Sequence, residues 1–230
     1  MSENTNLNKK ALAIKSLLRF LSALIIVGCI LFISAGSLKY WNAWLFISAI
    51  FIPMFFALMY LLTKDPELLE KRMKTKEKQE KQKLVQKIGA VLIIVGFLLP
   101  GFDYRYTWSS VPFWLVIIAT IFLVLGYVLT IVVMKQNSYA SRVIEVQENQ
   151  KVIDYGLYSK VRHPMYLFSS IVFIFTPLVL GSYYAVVPMA LYPVILIIRL
   201  KNEEEVLKKE LKGYEEYMKK VKYRLIPLIW

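Results

Sequence analysis

Long apolar runs alternate with short, densely charged stretches along this 230-residue chain, and that alternation restricts its fold more than any other feature. Runs of roughly 16–25 apolar residues suit a helix that must cross a hydrocarbon core about 30 Å thick. Composition agrees: 57% of residues are hydrophobic and the mean hydropathy is +0.51, whereas soluble domains sit nearer half apolar. The expected fold class is all-α, a polytopic transmembrane helical bundle of five to six membrane segments with the last two forming a hairpin.

The runs predict six helical segments, at about Leu17–Ala35, Trp41–Leu62, Ile88–Leu99, Val111–Met134, Met165–Leu180 and Ala185–Leu200. The first follows a lysine-bearing head but exceeds the usual 7–15 residue signal core, so it reads as an uncleaved anchor. The third is short for a span, extending at either end or tilting. Gly181-Ser182 joins the last two as a tight turn, and the hairpin need not cross the bilayer fully. Pro177, Pro188 and Pro193 predict kinks within it.

Twenty-seven of the 29 Lys and Arg residues fall on one side of this arrangement. They cluster at the entry to the first span, between Lys64 and Lys87, between Lys135 and Arg162, and from Arg199 onward; only Lys39 and Arg105 lie in the alternate loops. This positive-inside bias predicts a multi-pass protein with both termini in the cytoplasm, in the cell membrane of a prokaryote or the endoplasmic reticulum of a eukaryote. The net charge of +13 sits beside the spans, where anionic headgroups attract it, and no basic-aromatic nucleic-acid module accompanies it. Residues 65–86 have the i,i+4 charge pairs of a solvated interfacial helix. The chain divides into transmembrane helices over 1–134, with a charged loop at 64–87, and a region over 135–230 that includes the hairpin.

Several chemistries are excluded. One cysteine, Cys29, allows no intrachain disulfide, and one histidine, His163, with one cysteine supplies too few ligands for a His/Cys metal site. No G-x-G occurs, so Rossmann and Walker phosphate loops are absent. Because a hairpin returns both ends to one membrane face, Gly156–Tyr158, Arg162–Tyr166 and Arg199–Glu205 should converge at a single mouth. Arg199 and Glu203 share a helix face, with Glu204 about 100° round. By spacing alone, Arg199 is equally a snorkelling anchor, the glutamates a solvated face and His163 a structural residue.

Asn137, Val146-Gln147, Gly156-x-Tyr158, Arg162-His163-Pro164-x-Tyr166, Arg199-x-x-x-Glu203-Glu204-x-x-Leu207, Gly213-Tyr214-x-x-Tyr217 and Ile226-Pro227 occur in that order. In this sequence residues 137–230 resemble the isoprenylcysteine carboxyl methyltransferase and phospholipid methyltransferase superfamily. The resemblance implies an integral membrane methyltransferase using S-adenosyl-L-methionine (SAM). It implies cofactor contacts from Gln147, Gln150, Lys151, Val152, Ile153, Tyr158, His163, Pro164, Met165, Tyr166 and Glu203, with Arg199 orienting the acceptor. A carboxylate and aromatic faces suit the ammonium and sulfonium of SAM. The implied acceptor is lipophilic: an isoprenylcysteine-like carboxylate, or alternatively a phospholipid amine or a small thiol. Two departures stand out. Phe168 replaces a frequent glycine, which is expected to narrow the acceptor tunnel, and Leu157 replaces a frequent proline. A non-catalytic transporter or scaffold is the competing class, against which stand the lack of a clear internal repeat and of acidic residues inside the spans.

Overall fold

A computed structural model describes residues 9–74 and 80–230, with no side-chain description for 80 and 81. The described residues are helical and contain no strand. In chain order the helices are α1 (Lys9–Ala35), α2 (Trp41–Lys64), α3 (Pro66–Met73), α4 (Glu80–Tyr106), α5 (Phe113–Gln136), α6 (Pro164–Val179), α7 (Val186–Glu210) and α8 (Tyr214–Lys220), with a 3-10 turn at Gly156–Ser159. Four stretches are long and apolar enough to cross a membrane: α1, α2, α5 and Gln82–Tyr106 of α4. The chain is a membrane-embedded helical bundle. Its outer surface exposes large apolar side chains such as Ile33, Phe56, Val91 and Trp114, which soluble cores would bury.

The third apolar segment extends at both ends. Beyond Leu99, α4 continues through Pro100 and Gly101 to Tyr106. Tertiary contact explains the extension: a Cβ at Gly101 would lie 1.7 Å from Ser34 Oγ, so glycine permits α1 and α4 to touch. A second close approach brings α4 to α7, where a Cβ at Gly96 would come within 2.4 Å of Met189. The longer helix also overturns the expectation that span interiors lack acidic residues. Asp103 lies inside it and is 1% exposed.

Residues 65–86 are likewise not one solvated helix. Asp65 caps α3 by accepting from the Leu68 amide at 3.0 Å, Pro66 supplies the first turn, and the backbone becomes extended at Lys74. Leu68 and Leu69 are buried, so α3 is packed against the bundle by an apolar face. Residues 75–79 lie outside the described residues.

The predicted hairpin is present as α6 and α7, and its helices run on through Pro177 and Pro193. At about 1.5 Å per residue, the 16 residues of α6 extend roughly 24 Å. The tip still reaches the far end of the bundle. There Tyr40 Oη donates to the Leu180 carbonyl, and Asn42 Nδ2 donates to that of Val179 at 3.0 Å. The Asp103 carboxylate accepts from the Ser109 amide at 2.7 Å and from the hydroxyls of Ser109 and Ser182 at 2.5 Å each. Gly181 turns with φ +74°, leaving room for Asn42. The hairpin base is thereby held at the opposite end, beside the 137–163 loop and α8.

Candidate functional site

Two adjacent glutamates on α7 serve opposite ends of the same problem. Glu204 points into the protein and is 3% exposed. Its Oε1 accepts from Arg162 Nε at 2.6 Å and lies 3.3 Å from His163 Nε2, while its Oε2 accepts from Arg224 Nε at 2.8 Å. Burial acts to raise the Glu204 pKa, but the hydrogen bonds from His163, Arg224 and Arg162 outweigh it and hold the carboxyl well below the usual carboxylate range. Arg162 Nη1 also donates to the carbonyls of Val221 and Lys222 at 2.9 Å, and the His163 amide donates to Arg224. This node fastens the start of α6 to α7 and the C-terminal segment.

Glu203, one residue earlier, turns instead toward a cavity of about 960 Å³, at the upper end of the roughly 300–1,000 Å³ range of small-molecule pockets. Its Oε2 accepts from Tyr166 Oη at 2.5 Å, and that same phenol oxygen accepts from Arg199 Nε at 3.1 Å. Arg199 is not a loose anchor: its Nη2 donates to the Arg142 carbonyl at 2.6 Å and its Nη1 approaches Gln82 Oε1 at 3.4 Å. The linked series Glu203, Tyr166 and Arg199 therefore forms a fixed part of the cavity wall.

Of the residues singled out from sequence, Gln150, Val152, Ile153, Tyr158, His163, Met165, Tyr166, Arg199 and Glu203 line this cavity, whereas Gln147, Lys151 and Pro164 do not. Gln147 is engaged within its loop: its amide donates to Gln150 Oε1 at 2.9 Å and its side chain donates to the Tyr139 carbonyl at 2.7 Å. Lys151 is exposed, and Pro164 is buried as the first residue of α6. Tyr158 is positioned from two sides. Asn137 Nδ2 donates to its hydroxyl at 3.0 Å, and Tyr217 Oη donates to its carbonyl at 2.7 Å. Burial pushes the Tyr158 phenol up to about 12, so it stays protonated at neutral pH.

Both sequence departures have local explanations. Phe168 lies off the cavity wall, and its backbone carbonyl instead faces Gly126, the residue that lets α5 approach α6. The cavity is narrowed by Phe173 and Tyr192, whose ring centroids are 3.8 Å apart. Leu157 supplies an amide that donates to Gln136 Oε1 at 2.9 Å, a bond proline cannot make. Gly156 beside it has φ +60°, and a Cβ there would meet the Gln136 side chain at 2.6 Å.

Sequence reasoning missed three groups at this end: Glu204 as the organising carboxylate, Arg72 from α3 on the cavity wall, and Tyr214. The Tyr214 hydroxyl is buried without a hydrogen-bond partner among the described residues, in a side chain that lines the cavity. The cavity is also chemically graded. Ile93, Phe173, Ile195 and Leu196 line it from α4, α6 and α7, while Tyr158, Arg199 and Glu203 lie toward the loop. Residues 114–213 match the family model described as phospholipid methyltransferase, in the isoprenylcysteine/phospholipid methyltransferase superfamily. No curated protein matches the chain.

Proposed function

From the match of residues 114–213 to the phospholipid methyltransferase family model we propose that the chain is a SAM-dependent membrane methyltransferase acting on a lipophilic acceptor. The observation that carries the reading is one cavity combining a carboxylate (Glu203), the aromatic faces of buried Tyr158 and half-buried Tyr166, and an apolar floor. When bound, SAM supplies an electrophilic methyl group on a sulfonium. Glu203 offers its ammonium or sulfonium an ionic partner, Tyr158 and Tyr166 offer aromatic faces, and the orphan Tyr214 hydroxyl offers a hydrogen bond. Met165, Gln150, Val152 and Ile153 complete the wall, with Gln147, Lys151 and Pro164 acting through the backbone they shape.

The preferred acceptor is an isoprenylcysteine-like carboxylate, with a phospholipid headgroup amine or a small thiol as alternatives. Displacement at a sulfonium methyl has a good leaving group, and a carboxylate nucleophile needs no base. Alignment and exclusion of water then supply much of the rate. Arg199, fixed by Tyr166, Arg142 and Gln82, orients the anionic end of the acceptor. His163 acts as a positioning residue: its Nε2 faces Glu204 rather than an acceptor. The excess of Lys and Arg at this end supports a cytoplasmic face for the cavity and both termini.

Purified protein in detergent is expected to bind S-adenosylhomocysteine, with affinity lost in Glu203→Ala and reduced in His163→Ala. Unchanged affinity in both variants refutes the site. Incubation with methyl-labelled SAM and a lipid extract, followed by mass spectrometry, identifies the acceptor. A methyl ester product supports the carboxylate, and a methylated headgroup amine selects the alternative.

A further inference from the structure

A guanidinium withdrawn from water is costly to desolvate, and proteins ordinarily compensate it with a carboxylate. Arg72, half-buried on the cavity wall, lacks one among the described residues. Leu68 and Leu69 anchor α3 in the bundle, and Arg72, four and three residues beyond them, is carried on the same helix face. The flanking cations find partners elsewhere: Lys71 donates to the Ser138 carbonyl and Lys74 pairs with Glu145 at 2.7 Å. Arg72 itself reaches only the Ser141 carbonyl at 3.4 Å and the Met165 thioether at 3.6 Å, both long contacts to neutral atoms. Among the described residues no carboxylate pairs with it.

Its surroundings increase the imbalance. Burial lowers the Arg72 pKa, and although Tyr166 and Tyr158 oppose that shift, the neighbouring Arg142 and Arg199 add to it. A guanidinium remains protonated regardless. Arg72, Arg142 and Arg199 thus line one cavity from α3, the loop and α7. Among the described residues, the five N–H donors of Arg72 meet two weak acceptors.

We propose that Arg72 is an anion-recognising residue of the cavity, donating to a carboxylate or phosphate oxygen of the bound ligand, with Arg142 and Arg199 completing a positive corner. Arg72 lies outside residues 114–213. Two sources can present the anion: the aminoacyl carboxylate of the cofactor or the anionic end of a bound lipid. The first rests on the methyltransferase reading; the second does not.

The test uses the full chain in detergent with two matched probe pairs, each differing by one negative charge: S-adenosylhomocysteine against its α-carboxamide, and oleate against oleamide, with oleyl phosphate as the phosphate counterpart. The wild type is expected to prefer the anionic member of at least one pair, and Arg72→Gln to reduce that preference about tenfold, as for loss of one charge-assisted hydrogen bond. Arg72→Lys is expected to restore part of it. Loss in the nucleoside pair assigns Arg72 to the cofactor carboxylate, and loss in the lipid arm assigns it to the acceptor. An Arg72→Gln protein that keeps the wild-type preference overturns the proposal, as does a wild type with no preference in either pair. If Arg72→Gln does not fold, the wild-type preference and its weakening in Arg72→Lys decide. A wild type that binds neither nucleoside but prefers oleate refutes the methyltransferase reading and leaves the anion site standing. Binding of S-adenosylhomocysteine without any anion preference does the reverse.

Discussion

The two ends of the bundle each bury a carboxylate, and they use it differently. At the far end, Asp103 is satisfied by an amide and two hydroxyls, all neutral donors, and the result is a closed latch on the hairpin tip. At the near end, Glu204 is surrounded by two guanidiniums and an imidazole, while Glu203 beside it faces a cavity whose other charged lining is mostly basic. Neutral donors at the far end satisfy the acceptor oxygens of Asp103 and tie the hairpin tip to the bundle. Surplus cations leave a surface that an anionic ligand completes.

The contrast breaks most readily at Glu204. Glu204→Ala strands Arg162 and His163 in the interior and is expected to cost about 3–5 kcal/mol, read by denaturant unfolding in micelles. A loss below about 1 kcal/mol would remove the node from the account. The same carboxyl sets an acid limb. Its folded pKa lies below the ordinary value, so its stabilisation is fully present above the unfolded pKa of about 4.3 and is lost as pH falls below it. Glu204→Gln should flatten that limb between roughly pH 4 and 2, while Asp103→Asn should leave this Glu204-dependent part of it in place.

Asp103→Ala comes next, at about 1–3 kcal/mol, because it leaves buried hydroxyls rather than charges without an acceptor. Its affinity for S-adenosylhomocysteine should equal that of the wild type. A large affinity loss would couple the two ends and dissolve the distinction. Glu203→Ala should show the opposite profile, with a stability change within about 0.5–1 kcal/mol and ligand affinity down by tenfold or more. Smallest is Tyr214→Phe. Its hydroxyl has no partner to lose, so unfolding should move by no more than about 0.5 kcal/mol, in the stabilising direction if at all.

Much of this architecture was legible in the chain. Apolar run length located α1, α2 and α5 and the middle of α4, and Gly181-Ser182 located the hairpin turn, because both signals are local. The hairpin topology predicted that Arg162–Tyr166 and Arg199–Glu205 would converge, and Tyr166, Arg199 and Glu203 are linked by hydrogen bonds. Less was legible where a residue's role depends on its angle about a helix. Glu203 and Glu204 are chemically identical neighbours, and one turns to the cavity while the other enters an ion-pair node. Arg72 sat in a charge-rich stretch with the pattern of a solvated helix, and only the burial of Leu68 and Leu69 turns it inward. Asp103 lay beyond the apolar run that ends at Leu99, and only the close packing of Gly101 on Ser34 shows the helix carrying on to it.

The sequence by itself determined that this chain is a membrane-embedded helical bundle ending in a hairpin, because hydropathy and helix length act residue by residue against the thickness of a bilayer. Tertiary structure alone decided which charges are satisfied and which face the cavity. That division depends on the rotation and depth of packed helices, which distant contacts such as Gly96 with Met189 and Arg162 with Glu204 set together.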